Sequence, residues 1–190
     1  MNLNNLVELS GDASFRKFYR SGKSIIVFCK IEKKNNLLIY DAINKILIKN
    51  KIKAPKLLSQ YYKKNYIEIE DLGDESLYYK FKNKKINIIK YYKKIILLLL
   101  KVQNIKNKKI RTFFNTNYIV PKYTKDKLFK ESKLFLDWYV PKVIEKKKRT
   151  FIKKKLKNIF KVLLKKTNNK NNIFVHRDFH VSNLMEYKKN

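Results

Sequence analysis

Both histidines of the chain and one of its five arginines fall inside a single octapeptide, His176-Arg177-Asp178-Phe179-His180-Val181-Ser182-Asn183. The other basic residues are overwhelmingly lysine, 42 in 190 positions. Rare residue types have therefore gathered at one place. The run Ile173-Phe174-Val175 before the octapeptide reads as a buried strand, and Leu184-Met185-Glu186-Tyr187 after it as the next. Strand, polar loop, strand is an arrangement that turns several polar side chains toward one side. A plain surface turn, with Asp178 and Asn183 satisfying backbone groups, is the bland alternative. It leaves the clustering of rare residues unexplained.

The spacing is H-R-D-x-x-x-x-N. In phosphoryl-transfer loops of this pattern the Asp accepts the proton of the attacking hydroxyl and the Asn holds a magnesium ion. One short loop must place a base beside the nucleophile and an oxygen ligand beside the metal. Asp178 is the candidate base and Asn183 the candidate metal ligand, with His176, Arg177 and His180 as support within the loop.

Composition limits the alternatives. The formal net charge is +32, from 47 basic and 15 acidic residues. Such a charge ordinarily points to nucleic acid or an anionic membrane. Here it is nearly all lysine, spread end to end, and it accompanies abundant Asn, Ile, Tyr and Phe, residues that share AT-rich codons. Arginine, the better residue for bidentate phosphate and base contacts, is scarce. Compositional drift accounts for the charge, so no specific nucleic-acid partner is expected. Cys29 is the only cysteine, which excludes an internal disulfide and fits a reducing, cytoplasmic setting. No basic-then-apolar leader is evident at the N-terminus. The longest apolar run, Ile95 to Leu100, falls far short of the roughly 20 residues of a membrane span, so none is expected.

Along the chain, residues 1–72 read as mostly strand with one helix. Ser24 to Cys29 is β-branched and apolar. Residues 37–49 follow helical spacing through Leu37, Leu38, Ala42, Ile43, Ile46 and Leu47, and Ala54-Pro55 breaks the pattern. Tyr66-Ile67-Glu68-Ile69-Glu70 alternates as a half-exposed strand does, and Asp71-Leu72-Gly73-Asp74 turns the chain. From about 75 onward the pattern is helical. Ile86 to Leu100 marks a strongly apolar helix, with further helices at about 125–139 and 143–165. Lys/Asn runs at 104–109 and 165–172 read as solvated loops. The expected class is α+β, with an antiparallel-sheet lobe over 1–72 and a helical lobe over 73–190 that carries the loop 176–183.

A second cluster of rare residues is Ser10-Gly11-Asp12-Ala13-Ser14-Phe15-Arg16-Lys17-Phe18-Tyr19-Arg20. It holds one of three glycines and two of five arginines. A Gly–polar–small–Ser segment entering a strand can fold over phosphates through backbone N–H and hydroxyl groups. A hairpin turn explains it equally well.

Together these segments resemble the aminoglycoside phosphotransferase/choline kinase-like family, and within it the cytoplasmic N-acetylmuramate/N-acetylglucosamine anomeric kinases. That group carries G-D-A-S-F-R-x-[YF]-[FY]-R near its start, D-L-G-D at the lobe junction and H-R-D-[YF]-H-x-x-N-L-M at the catalytic loop. The matching segments are Gly11–Arg20, Asp71–Asp74 and His176–Met185, and Leu136-Asp137-Trp138-Tyr139 resembles its aromatic segment. His180, two places after Asp178, is what small-molecule kinases of this type have where protein kinases have Lys. The resemblance implies a bilobal, protein-kinase-like fold and an ATP- and Mg2+-dependent kinase acting on an amino-sugar hydroxyl in cell-wall recycling. It implies ATP contacts at Gly11, Ser14, Arg16, Lys30, Glu70 and Leu72. Lys30 or Arg16 would meet the α/β-phosphates, and the backbone of Glu70 to Leu72 the adenine. The family continues into a D-F-Q-D-type segment whose first Asp binds magnesium, whereas seven residues follow Asn183 here. The expectation is a truncated or split form with an incomplete helical lobe and little turnover by itself. A separate C-terminal fragment would be a partner, and a catalytically inactive nucleotide-binding module is the alternative.

Overall fold

The computed structural model describes residues 6–9, 15–83, 86–167 and 173–187. Gly11 and Ser14 lie outside the described residues. The fold is α+β.

The described chain forms two compact units, residues up to Val120 together with His176 onward, and Pro121–Val175. This division does not coincide with the one drawn at 72/73 from the sequence.

The first unit is built on an antiparallel five-stranded sheet in the order β1-β2-β3-β5-β4. The strands are β1 (Val7–Leu9), β2 (Arg16–Ser21), β3 (Ser24–Cys29), β4 (Leu57–Tyr61) and β5 (Tyr66–Glu70). β3 is central because its β-branched run suits burial on both faces. Ile25, Val27 and Cys29 point to one side with Ile67, Ile69 and Leu37. Ile26 points to the other with Tyr19 and Tyr66. Leu37 belongs to helix α1 (Asn35–Lys49), whose inner row also buries Ala42, Ile46 and Leu47. The register pairs Arg16 with Cys29 and Ser24 with Glu70.

Helices α2 (Leu77–Asn83) and α3 (Ile88–Gln103) follow. The apolar helix expected over 86–100 is present, yet Val102 is its one buried residue among those described. Ile88, Tyr92, Ile96 and Leu100, one row at four-residue spacing, are exposed. A two-stranded hairpin, β6 (Lys109–Arg111) and β7 (Asn117–Ile119), also belongs to this unit. Its first strand begins inside a Lys/Asn run that the sequence assigns to a loop.

In the second unit α4 (Lys125–Leu134) runs into a π-helical segment, Phe135–Tyr139, then α5 (Val140–Val143) and α6 (Lys146–Lys166). Thr124 caps α4 by accepting from the Lys127 N–H. Leu136 and Val140 are buried. Trp138, within the aromatic segment, is 70% exposed. Arg149 closes the α5–α6 turn by donating to the carbonyls of Pro141 at 2.6 Å and Ile144 at 2.8 Å.

The buried strand expected at Ile173–Val175 is not formed. Phe174 alone is buried there, and no ladder satisfies the segment. The strand expected over Leu184–Tyr187 is reduced to one antiparallel bridge, Ser76 to Met185. A short apolar run is a weak strand signal without a partner edge to pair with.

Candidate active site

Asp178 is the centre of a compact polar cluster in the first unit. A 3-10 turn, Val181–Asn183, brings the chain back toward it. Asn183 Nδ2 donates to Asp178 Oδ2 at 2.7 Å and to the Asp178 main-chain oxygen at 3.1 Å. His180 Nε2 lies 2.9 Å from Asp178 Oδ1. An ionised carboxylate only accepts hydrogen bonds, so the Asn183 amide must turn its nitrogen toward Asp178.

The backbone before Asp178 is strained. Arg177 has φ +71°, a left-handed conformation that costs a non-glycine residue roughly 1–3 kcal/mol. The Asp178 side chain is 69% exposed. Behind it His176 packs edge-on against Phe179, centroids 5.5 Å apart. Burial pushes the His176 imidazole below its ordinary range, Asp178 pulls it partly back, and His180 adds a small further depression.

The exit of the loop is pinned residue by residue. The Leu77 N–H donates to the Leu184 carbonyl at 2.8 Å. Met185 bridges to Ser76. Glu186 meets Lys80 Nζ at 2.6 Å and accepts from the Tyr91 hydroxyl at 2.9 Å. Lys80 and Tyr91 hold the Glu186 carboxyl below its usual range against a smaller opposing effect of burial. Tyr187 lies under Lys53 Nζ, 4.1 Å from the ring centroid, while Lys53 pairs with Glu70 at 2.6 Å. The Lys80 and Tyr91 contacts of Glu186 both fall on the same carboxylate oxygen, Oε2. Among the described residues no cluster of three His, Cys, Asp or Glu suits a metal ion.

Arg20, in β2, meets the Asp71–Asp74 turn. Its Nε donates to Asp71 Oδ2 at 2.6 Å and its Nη2 to Oδ1 at 3.2 Å, a bidentate fork. Nη1 reaches Asp74 Oδ1 at 2.6 Å. Asp71 also accepts the Gly73 N–H at 2.8 Å, closing a turn for which Gly73 adopts φ +93°. Burial raises the Asp71 carboxyl, but Arg20 and the Gly73 N–H outweigh it and leave the group below its ordinary range.

Comparison with protein-family models, with curated proteins and with solved structures finds no match.

The remaining residues proposed from sequence occupy opposite ends of the central ladder. Lys30 is exposed, one residue beyond β3, and precedes a 3-10 turn. Arg16, across from Cys29, places its guanidinium 5.0 Å from the Tyr40 ring centroid. Glu70 and Leu72 are at the other end, about 17 Å away by strand rise. The Glu70 N–H already donates to the Lys56 carbonyl at 2.9 Å, which leaves Leu72 as the half-buried backbone position of that stretch. Sequence reasoning missed Lys80, Tyr91 and the clamp made by Arg20. Arg20 carried a signal, as a rare arginine in a lysine-rich chain. Lys80, one lysine among 42, carried none.

Proposed function

We propose that this chain is the nucleotide-binding and catalytic-loop part of an ATP-dependent phosphotransferase for a small-molecule hydroxyl, with an amino sugar of the N-acetylmuramate/N-acetylglucosamine type as acceptor. The observation that carries the reading is the placement of Asn183 on Asp178. In this reading the Asn183 side chain offers its amide oxygen to Mg2+ while Asp178, an exposed carboxylate, takes the hydroxyl proton. In this reading Asp178 orients the acceptor hydroxyl and takes its proton as the acceptor oxygen bonds to the γ-phosphorus and the bond to the ADP leaving oxygen breaks. His180 fixes the other carboxylate oxygen, so that only defined directions remain open to the hydroxyl. Mg2+ supplies charge neutralisation of the phosphates, and Asn183 is the residue here that would hold it. A kinase-like lobe arrangement, with Arg16 or Lys30 toward the phosphates and Leu72 toward adenine, belongs to the same proposal.

A second reading, a nucleotide-binding module without turnover, is favoured by one observation. Glu186, the nearest carboxylate after the loop, has one oxygen held by Lys80 and Tyr91, so in this reading it is a latch rather than a second metal ligand. The two readings separate experimentally. Titration of a fluorescent ATP analogue with and without Mg2+ tests the shared part, and failure to bind at millimolar nucleotide would sink both. Phosphorus NMR with ATP, Mg2+ and N-acetylmuramate or N-acetylglucosamine tests transfer. The expected result for the chain by itself is Mg2+-assisted binding with slow or no transfer. Any transfer detected should vanish in Asp178→Asn while nucleotide affinity stays within about threefold, because removing a base affects the reacting state rather than binding.

A further inference from the structure

Lysines coat the described surface of this protein, and one of them does not. Lys80 is 7% exposed, the one buried lysine among the described residues. Burying an ammonium costs several kcal/mol unless it is paired and hydrogen-bonded. Its partner is Glu186, three residues beyond Asn183, with Nζ to Oε2 at 2.6 Å and Tyr91 donating to the same oxygen. Glu75 contributes a more distant carboxylate at 3.7 Å. An apolar pair of similar volume would serve stability at least as well. What the charged pair adds is register, because an ion pair with a third hydrogen bond tolerates little sliding. The neighbouring contacts have the same sense, since α2 and the residues just before it bind Leu184 and Met185 through main-chain groups.

We infer that Lys80 is a positioning residue: it latches Glu186 and thereby fixes the register of the Asp178–Asn183 loop on helix α2. Lys53 repeats the device one residue further on, joining Tyr187 to Glu70. Through these lysines the segment proposed to meet adenine and the loop proposed to meet Mg2+ are tied into one frame.

Amide hydrogen exchange tests the latch without reference to activity. The reporters are the hydrogen-bonded amides of Leu77 and Asn183, with Val27 in β3 as the control. In Lys80→Met, protection at Leu77 and Asn183 should fall by about tenfold or more with Val27 unchanged, as local opening predicts. Lys80→Arg should preserve it. Unchanged protection overturns the inference, and so does an equal loss at Val27, which marks a general stability role. Should Lys80→Met fail to fold, the Lys80→Met/Glu186→Leu pair removes both charges and is measured identically. Loss at the two reporters is again expected, and retained protection again overturns the latch. A second arm rests on the phosphotransferase reading: Mg2+ should strengthen nucleotide binding in the wild type and lose most of that coupling in Lys80→Met. Wild-type protein that shows no Mg2+-dependent nucleotide binding refutes that reading, while the exchange result still decides the latch.

Discussion

Arg20 illustrates how much one rare residue can organise. In this lysine-rich chain the guanidinium reaches both oxygens of Asp71 and one of Asp74, a geometry that an ammonium cannot reproduce. The Arg20–Asp71 pair is largely shielded, with side-chain exposures of 26% and 15%. Arg20→Met should therefore destabilise the fold by about 1–3 kcal/mol at pH 7, the cost of leaving a shielded carboxylate without its main partner. Arg20→Lys should recover only part of this. The pH dependence has a definite sign. Asp71 is held below its ordinary pKa in the folded state, so its contribution is present above the unfolded value near 4 and is lost as pH falls through the folded one. Urea unfolding of wild type and Arg20→Met should give a gap that closes below about pH 4. A gap independent of pH would mean that Arg20 acts by packing alone.

Elements whose pattern is local were legible in the sequence, and elements that depend on a distant partner were not. Strand β3 announces itself by a β-branched apolar run, β5 by alternation and helix α1 by helical spacing, and all three appear where the residues place them. Helix α3 was legible too, though it starts at Ile88 rather than at Ile86, capped by Asn87, which accepts the Lys90 N–H at 3.0 Å. Asn87→Ala should lower stability by about 1 kcal/mol through loss of that cap, with Asn87→Ser restoring most of it by the same measurement. The hairpin β6–β7 was hidden because Lys109 to Arg111 has no composition of its own; its pairing is what makes it strand. The π-helical turn at Phe135–Tyr139 was hidden for a related reason, since its spacing differs from an α-helix by one residue. Ile173–Val175 failed in the opposite direction, having strand composition and no edge to join. The site divides along the same line. The octapeptide was readable because its residue types are rare, and the cluster of Asp178, His180 and Asn183 lies within it. The Lys80–Glu186 latch spans 106 positions and links common residue types, so nothing local announces it.

At the scale of the whole molecule the question is what +32 formal charges do to stability. The acidic residues number 15 against 47 basic ones, so most of the positive charge is in excess. Exposed pairs such as Lys17–Glu8 at 3.0 Å contribute little and lose that little on screening. Repulsion among the surplus lysines acts over the Debye length, about 10 Å at 0.1 M salt, and folding draws those charges together. The surplus is the larger effect here, and it opposes the compact state. Raising potassium chloride from about 0.02 to 0.5 M should then move the urea midpoint upward, most steeply at the low end where the Debye length changes fastest. Chloride rather than sulfate is the suitable salt, because sulfate also strengthens burial by exclusion from the surface. The same titration should release any RNA that binds through charge alone, since the logarithm of such an affinity falls linearly with the logarithm of the salt concentration. A midpoint that falls with chloride would show that the paired charges, Arg20 with Asp71 and Lys80 with Glu186 among them, outweigh the surplus. It would assign to these few acidic residues a larger share of stability than their number suggests.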